Sequence, residues 1–109
     1  MSRIEIIELP RIYDPRGSLS VAEERSHIPF DIKKVEWNHL GAIQPDAPIE
    51  LGESPMMLIA LAGEITIQVI DEDARTITLT RPNQALILGE ECKSSIIDST
   101  KHSLLLTIH

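Results

Sequence analysis

The residues of this chain best suited to moving protons near neutral pH are its histidines, His27, His39, His102 and His109. An imidazole titrates in that range, so it can take a proton from carbon or oxygen and hand it back. The four are widely separated, and no His-x-His occurs anywhere in the chain. His39 is the strongest acid–base candidate because it adjoins a long irregular connection, and loops held by a rigid scaffold are where functional groups concentrate. The plainer reading is an ordinary polar residue at a strand end. Glu36 and Glu50 become bases only if burial near a pocket raises their carboxyls; solvated carboxylates are the default.

Metal chemistry finds little support in the spacing. Histidine-based metal sites built on strands use two histidines one residue apart, a carboxylate close by and a third histidine later, and His109 is the last residue here. No resident metal or other cofactor is therefore expected. Cys92 is the sole cysteine, so it forms no internal disulfide and reads as a small, partly buried thiol. The acidic run Asp71-Glu72-Asp73 reads as a solvated hairpin tip rather than a cation site.

Composition narrows the ligand class. The net charge of −7 argues against nucleic acid and against an anionic membrane surface, both of which demand clustered Lys and Arg. A nucleotide remains compatible, since a few well-placed arginines suffice for a diphosphate. Aromatic content is 3%, confined to Tyr13, Phe30 and Trp37, so a ligand site has few stacking partners to draw on. No apolar run approaches the roughly 20 residues that span a bilayer. The start lacks a secretory pattern, and a cytoplasmic setting is expected.

The elements that must position these residues are strands. Length fits one domain over residues 1–109. Glu64-Ile65-Thr66-Ile67-Gln68-Val69 places Ile65, Ile67 and Val69 on one face and polar groups on the other. Thr76-Ile77-Thr78-Leu79-Thr80 repeats that period of two with its threonines outward. Further strands are expected at Arg3 to Leu9, Ser18 to Ala22, Ile32 to Asn38, Met56 to Leu61, Ala85 to Leu88, Lys93 to Ile97 and Ser103 to Ile108, with a short helical turn near Glu23 to Ser26. Asp14-Pro15-Arg16-Gly17 is a tight turn, Arg81-Pro82-Asn83 ends a ladder, and Gly89-Glu90-Glu91 reverses the chain. Leu40 to Pro55 holds three prolines and two glycines and reads as a long irregular connection, with room for a short edge strand. Short strands at this spacing imply an all-β sandwich or barrel.

Several stretches resemble one family. Ile7-Glu8-Leu9-Pro10, Asp14-Pro15-Arg16-Gly17-Ser18-Leu19-Ser20-Val21 and Ile28-Pro29-Phe30-Asp31-Ile32-Lys33-Lys34-Val35 are similar to the opening of the dTDP-sugar 3,4-ketoisomerases, the WxcM-like cupin domains. Leu61-Ala62-Gly63-Glu64-Ile65 and Leu79-Thr80-Arg81-Pro82-Asn83-Gln84-Ala85-Leu86-Ile87 follow in the family's order. The resemblance implies a cupin-type jelly roll, a homodimer, a dTDP-sugar ligand and a place in making deoxysugars for bacterial surface polysaccharides. It implies ligand-binding roles for Arg16, near the substrate site, for Trp37, where relatives turn aromatic residues inward, and for Arg81 of the Arg-Pro-Asn turn. Each has a structural alternative: Arg16 braces its turn, Trp37 belongs to a core or a dimer interface, and Arg81 belongs to a strand-ending turn.

The family's reaction moves a keto group between C3 and C4, and relatives carry an Arg-Gly-x-His-Ala-His stretch for it. Counting back from Gly63, its two histidine positions fall near Ile49 and Leu51, and no arginine lies between Lys34 and Arg75. Three expectations follow. The chain is a catalytically degenerate relative that binds a nucleotide sugar or a partner enzyme; or an isomerase or epimerase using His39 with a carboxylate; or a structural subunit whose interior is filled by residues such as Ile49, Leu51 and Met56.

Overall fold

In the computed structural model the described residues are 4–14, 17–20, 28–52 and 55–109. Their order is β1 (Ile4–Glu8), β2 (Arg11–Asp14), β3 (Gly17–Ser20), β4 (Val35–Leu40), β5 (Ile49–Glu50), β6 (Met56–Ala62), β7 (Ile65–Ile70), β8 (Ala74–Leu79), β9 (Gln84–Leu88), β10 (Lys93–Ser99) and β11 (Ser103–Ile108). All regular structure among them is strand, and every pairing is antiparallel. One sheet runs β1-β9-β6-β11-β4, a second runs β5-β10-β7-β8, and β2 pairs with β3 as a hairpin. The two larger sheets bury a shared aliphatic layer between them, which is the jelly-roll sandwich expected of this pattern.

Alternation explains the second sheet. Ile65, Ile67 and Val69 are fully buried, while Thr66 Oγ1 and Thr78 Oγ1 hydrogen-bond at 3.0 Å on the opposite, solvated face. The β7–β8 register, Ile67 to Ile77 and Thr66 to Thr78, is the one the sequence period implies. The polar tip Asp71-Glu72-Asp73 joins these strands, with Asp73 N–H donating to Asp71 Oδ1 at 3.1 Å. Backbone N–H groups of the tip, first that of Asp73, hold the Asp71 carboxyl below the ordinary aspartate value.

The first sheet differs because both faces of its strands β6 and β9 are covered. Met56, Leu58 and Ala60 of β6 join the layer between the sheets. Met57 and Ile59 pack instead with Leu9, Ile28, Ala85, Ile87 and Ile108 in a second cluster on the outer face, with Phe30 against them. A strand buried on both faces loses its alternation and becomes a continuous apolar run, which is what Met56 to Leu61 is. Each fully buried Leu, Ile or Met there contributes about 1.5–3 kcal/mol.

Local departures from the expected strands have identifiable causes. β4 begins later than Ile32, because Lys33 and Lys34 spend their N–H groups on His109 O, at 2.5 and 3.0 Å, where the last residue closes the ladder. Within the irregular connection the short edge strand is β5, and Leu51 N–H donates to Ser94 O at 2.9 Å. Ile43 is tied to the end of β10: its N–H donates to Ser99 Oγ and its carbonyl accepts from Ser99 N–H, both at 3.1 Å. The helical turn expected near residues 23–26 lies outside the described residues.

Candidate functional site

The sandwich is closed along most of its length but opens where β4 and β11 of one sheet stand opposite β5 and β10 of the other. The cleft there has a volume of about 620 Å³. Ile96 and Leu105, both buried, form its floor. Ile49 and Leu51 stand on one wall; Lys34, Glu36, Asn38, Thr107 and His109 stand on the other. The interior is therefore packed shut at one end and open, with one polar wall, at the other. Met56 belongs to the packed end.

β4 sets that polar wall. Its pairing with β11 runs without interruption from Val35 opposite Ile108 to Leu40 opposite Ser103. Leu40 and Leu105 pack in the inter-sheet layer, so alternation puts Glu36, Asn38 and Leu40 inward and Val35, Trp37 and His39 outward. Trp37 is 65% exposed on the outer face, away from the cleft. His39 borders the cleft at its rim, exposed, with its Cβ directed to the face it shares with Trp37.

The group the spacing did not single out is His109. The closing register that places its backbone N–H on Lys34 O at 2.7 Å also brings its ring beside Glu36. His109 Nε2 lies 3.1 Å from Glu36 Oε1, and Lys34 Nζ lies 3.1 Å from the same oxygen. Lys34, and after it His109, hold the Glu36 carboxyl below the ordinary glutamate value, so it is a carboxylate at neutral pH. Only the strand pairing reveals this cluster, because Lys34 and Glu36 stand at the start of β4 while His109 follows the end of β11, far away in sequence and with no shared motif.

The remaining candidates are dispersed. Glu50 is exposed but lines the cleft from β5. Arg81 sits in the turn between β8 and β9, where its guanidinium meets Glu8 Oε1 at 3.3 Å, with both side chains mostly in solvent. Arg16 lies outside the described residues. Cys92 is buried, with Sγ 3.9 Å from Glu90 O. It lines a neighbouring depression of about 720 Å³ with Lys93, Ser94 and Glu91, which shares Glu50, Leu51 and Gly52 with the cleft across β5. That larger depression holds no histidine, whereas the cleft places an imidazole against a carboxylate. Among the described residues, no three His, Cys, Asp or Glu side chains converge as a metal site, and no helix is long and apolar enough to cross a membrane.

A family model described as FdtA, WxcM-like, C-terminal, matches residues 2–109. Among solved structures, the 3,4-ketoisomerase QdtA from Thermoanaerobacterium thermosaccharolyticum, a variant in complex with TDP, superposes with a TM-score of 0.85 at 26% identity. The match covers 99% of this chain and 80% of that one. WlaRB, a TDP-quinovose 3,4-ketoisomerase from Campylobacter jejuni, gives a TM-score of 0.85 at 26% identity, covering 99% of this chain and 85% of its own. The 3,5-epimerase RmlC from Legionella pneumophila, at 11% identity and a TM-score of 0.79, shares the fold, over 99% of this chain and 66% of that one. No curated protein sequence matches this one.

Proposed function

Because the chain belongs to the WxcM-like, C-terminal family, we propose that it binds a TDP-linked deoxysugar in the cleft between its sheets without carrying out the 3,4-keto shift of its relatives. The observation that carries this reading is the cleft itself, about 620 Å³ with a polar wall of Lys34, Glu36, Asn38, Thr107 and His109. A chain kept only as structural filling would have no reason to leave such a space unpacked. One relative in this fold, QdtA, was crystallised with TDP and, as a mutant, with TDP-4-keto-6-deoxyglucose. The absence of the keto shift is argued from Ile49 and Leu51. They stand at the cleft where a pair of imidazoles would be needed, and neither side chain can move a proton.

The same reading takes the protein as a homodimer joined through the outer face of the first sheet. Val35 and Trp37 are exposed there, beside the half-buried Leu104 and Leu106 on the neighbouring strand. A second copy would cover this apolar stripe, which is costly to leave in water.

Thermal unfolding with added TDP tests the binding reading. At a hundred times its dissociation constant the ligand should add about 2.7 kcal/mol of stability. An unchanged melting temperature at millimolar TDP would remove the reading. With TDP-4-keto-6-deoxyglucose as substrate, no 3-keto product should accumulate in proton NMR spectra; its accumulation would show that the shift survives.

A further inference from the structure

We propose that His109, held by Glu36, is an acid–base residue of the cleft that exchanges the proton on the carbon next to the ketone of a nucleotide-linked keto sugar. This rests on the cleft being the sugar site. Three features of the ring's setting support it. Nε2–H donates to Glu36 Oε1 at 3.1 Å, which fixes the tautomer and leaves the Nδ1 lone pair as a base. Glu36 is itself pinned as a carboxylate by Lys34 Nζ at 3.1 Å. The His109 backbone is anchored on both sides, its N–H to Lys34 O and its carbonyl to the N–H groups of Lys33 and Lys34. The ring, 23% exposed, is sheltered yet still reachable from the cleft.

Among the described histidines this placement is distinctive. His39 is directed to the outer face, and His102 lies in the turn between β10 and β11 at a φ of 66°.

The step conserves atoms and electrons. Nδ1 takes the proton from the carbon beside the carbonyl. The C–H electron pair becomes the carbon–carbon double bond, and the carbonyl π pair moves onto oxygen as an enolate. Lys34 and Asn38, on the same wall, offer N–H donors to that charge. The imidazolium then returns a proton, or a deuteron gained from heavy water, to the same carbon, and nothing else is consumed. Moving the ketone onward would need a second donor at the adjacent carbon, where Ile49 and Leu51 offer none. The residue thus performs the first half of a keto shift and its reversal.

The test is deuterium incorporation at C3 of TDP-4-keto-6-deoxyglucose in heavy water, followed by proton NMR, with TDP affinity measured on the same samples. Wild type should exceed buffer by about a hundredfold or more. His109→Gln should fall to the buffer rate while TDP still binds, and His102→Asn should match wild type. Glu36→Gln should lower kcat far more than it changes KM, because its main part is to position the ring; it also carries the test if His109→Gln does not fold. Retained TDP binding with exchange at the buffer rate in wild type would overturn the role of His109 and leave the binding reading standing. Absence of both would overturn the binding reading as well. Loss in His39→Gln with none in His109→Gln would also overturn the assignment.

Discussion

Gly63 shows how much one hydrogen atom can decide at a turn. Its φ is +74°, and a Cβ there would collide with Ser103 Oγ and lie 2.7 Å from Thr100 Oγ1. Those hydroxyls are occupied: Thr100 Oγ1 accepts from Glu64 N–H at 2.9 Å, and Ser103 Oγ donates to Thr100 O at 2.6 Å. Gly63→Ala should therefore cost about 2 kcal/mol or more in chemical denaturation, from the left-handed backbone and the displaced hydroxyls together. Gly41→Ala, with open space around it, should stay within about 0.5 kcal/mol. At this scale the sequence was only partly readable. Glu36 and Glu50 stood out as carboxylates near the irregular connection, and both line the cleft. His109 did not stand out, because its partner is set by the register of β11 on β4 and by no local spacing. For Trp37 the family resemblance implies an inward ring, with a place in the core or a dimer interface as the alternative. Its position on β4 shares parity with Val35, and that parity faces out.

Strands were legible wherever one face is wet and one dry. β7 follows its period-two pattern residue by residue, and β8 follows it from Thr76 to Leu79. Ile67→Asp should cost at least about 3 kcal/mol, since an unpaired charge would enter the layer between the sheets. Thr78→Asp should cost less than about 1 kcal/mol, the loss of one solvent-facing hydroxyl bond to Thr66. Urea unfolding of both variants checks the register, and equal tolerance would contradict it. Legibility fell where long-range pairing decides. β2 was not anticipated, because Arg11 to Asp14 has too few residues to show a period; it forms as the partner of β3, with Asp14 opposite Gly17 as the tight turn implies. The late start of β4 depends on His109, a contact invisible to any local window.

For the molecule as a whole, the open question in the sequence was whether the interior is filled. Aliphatic content alone points to filling, since Ile49, Leu51 and Met56 are all apolar. Strand geometry divides them: Met56 is fully buried in β6, whereas Ile49 is 47% exposed at the cleft on a two-residue strand. Trp37→Lys tests the proposed assembly, because it puts a charge in the middle of the outer apolar stripe. Sedimentation should shift from dimer to monomer, while TDP should still raise the melting temperature. A wild type that sediments as a monomer would remove the homodimer.

The walls of the cleft belong to different sheets, and β5, the thinnest of the strands that form them, hangs from β10 by two residue pairs and the Leu51–Ser94 hydrogen bond. Anything lodged between the walls would act as a keystone. Stiffness at that end of the barrel would then come from the guest, and the vacant protein would be free to gape there while its opposite end stays shut.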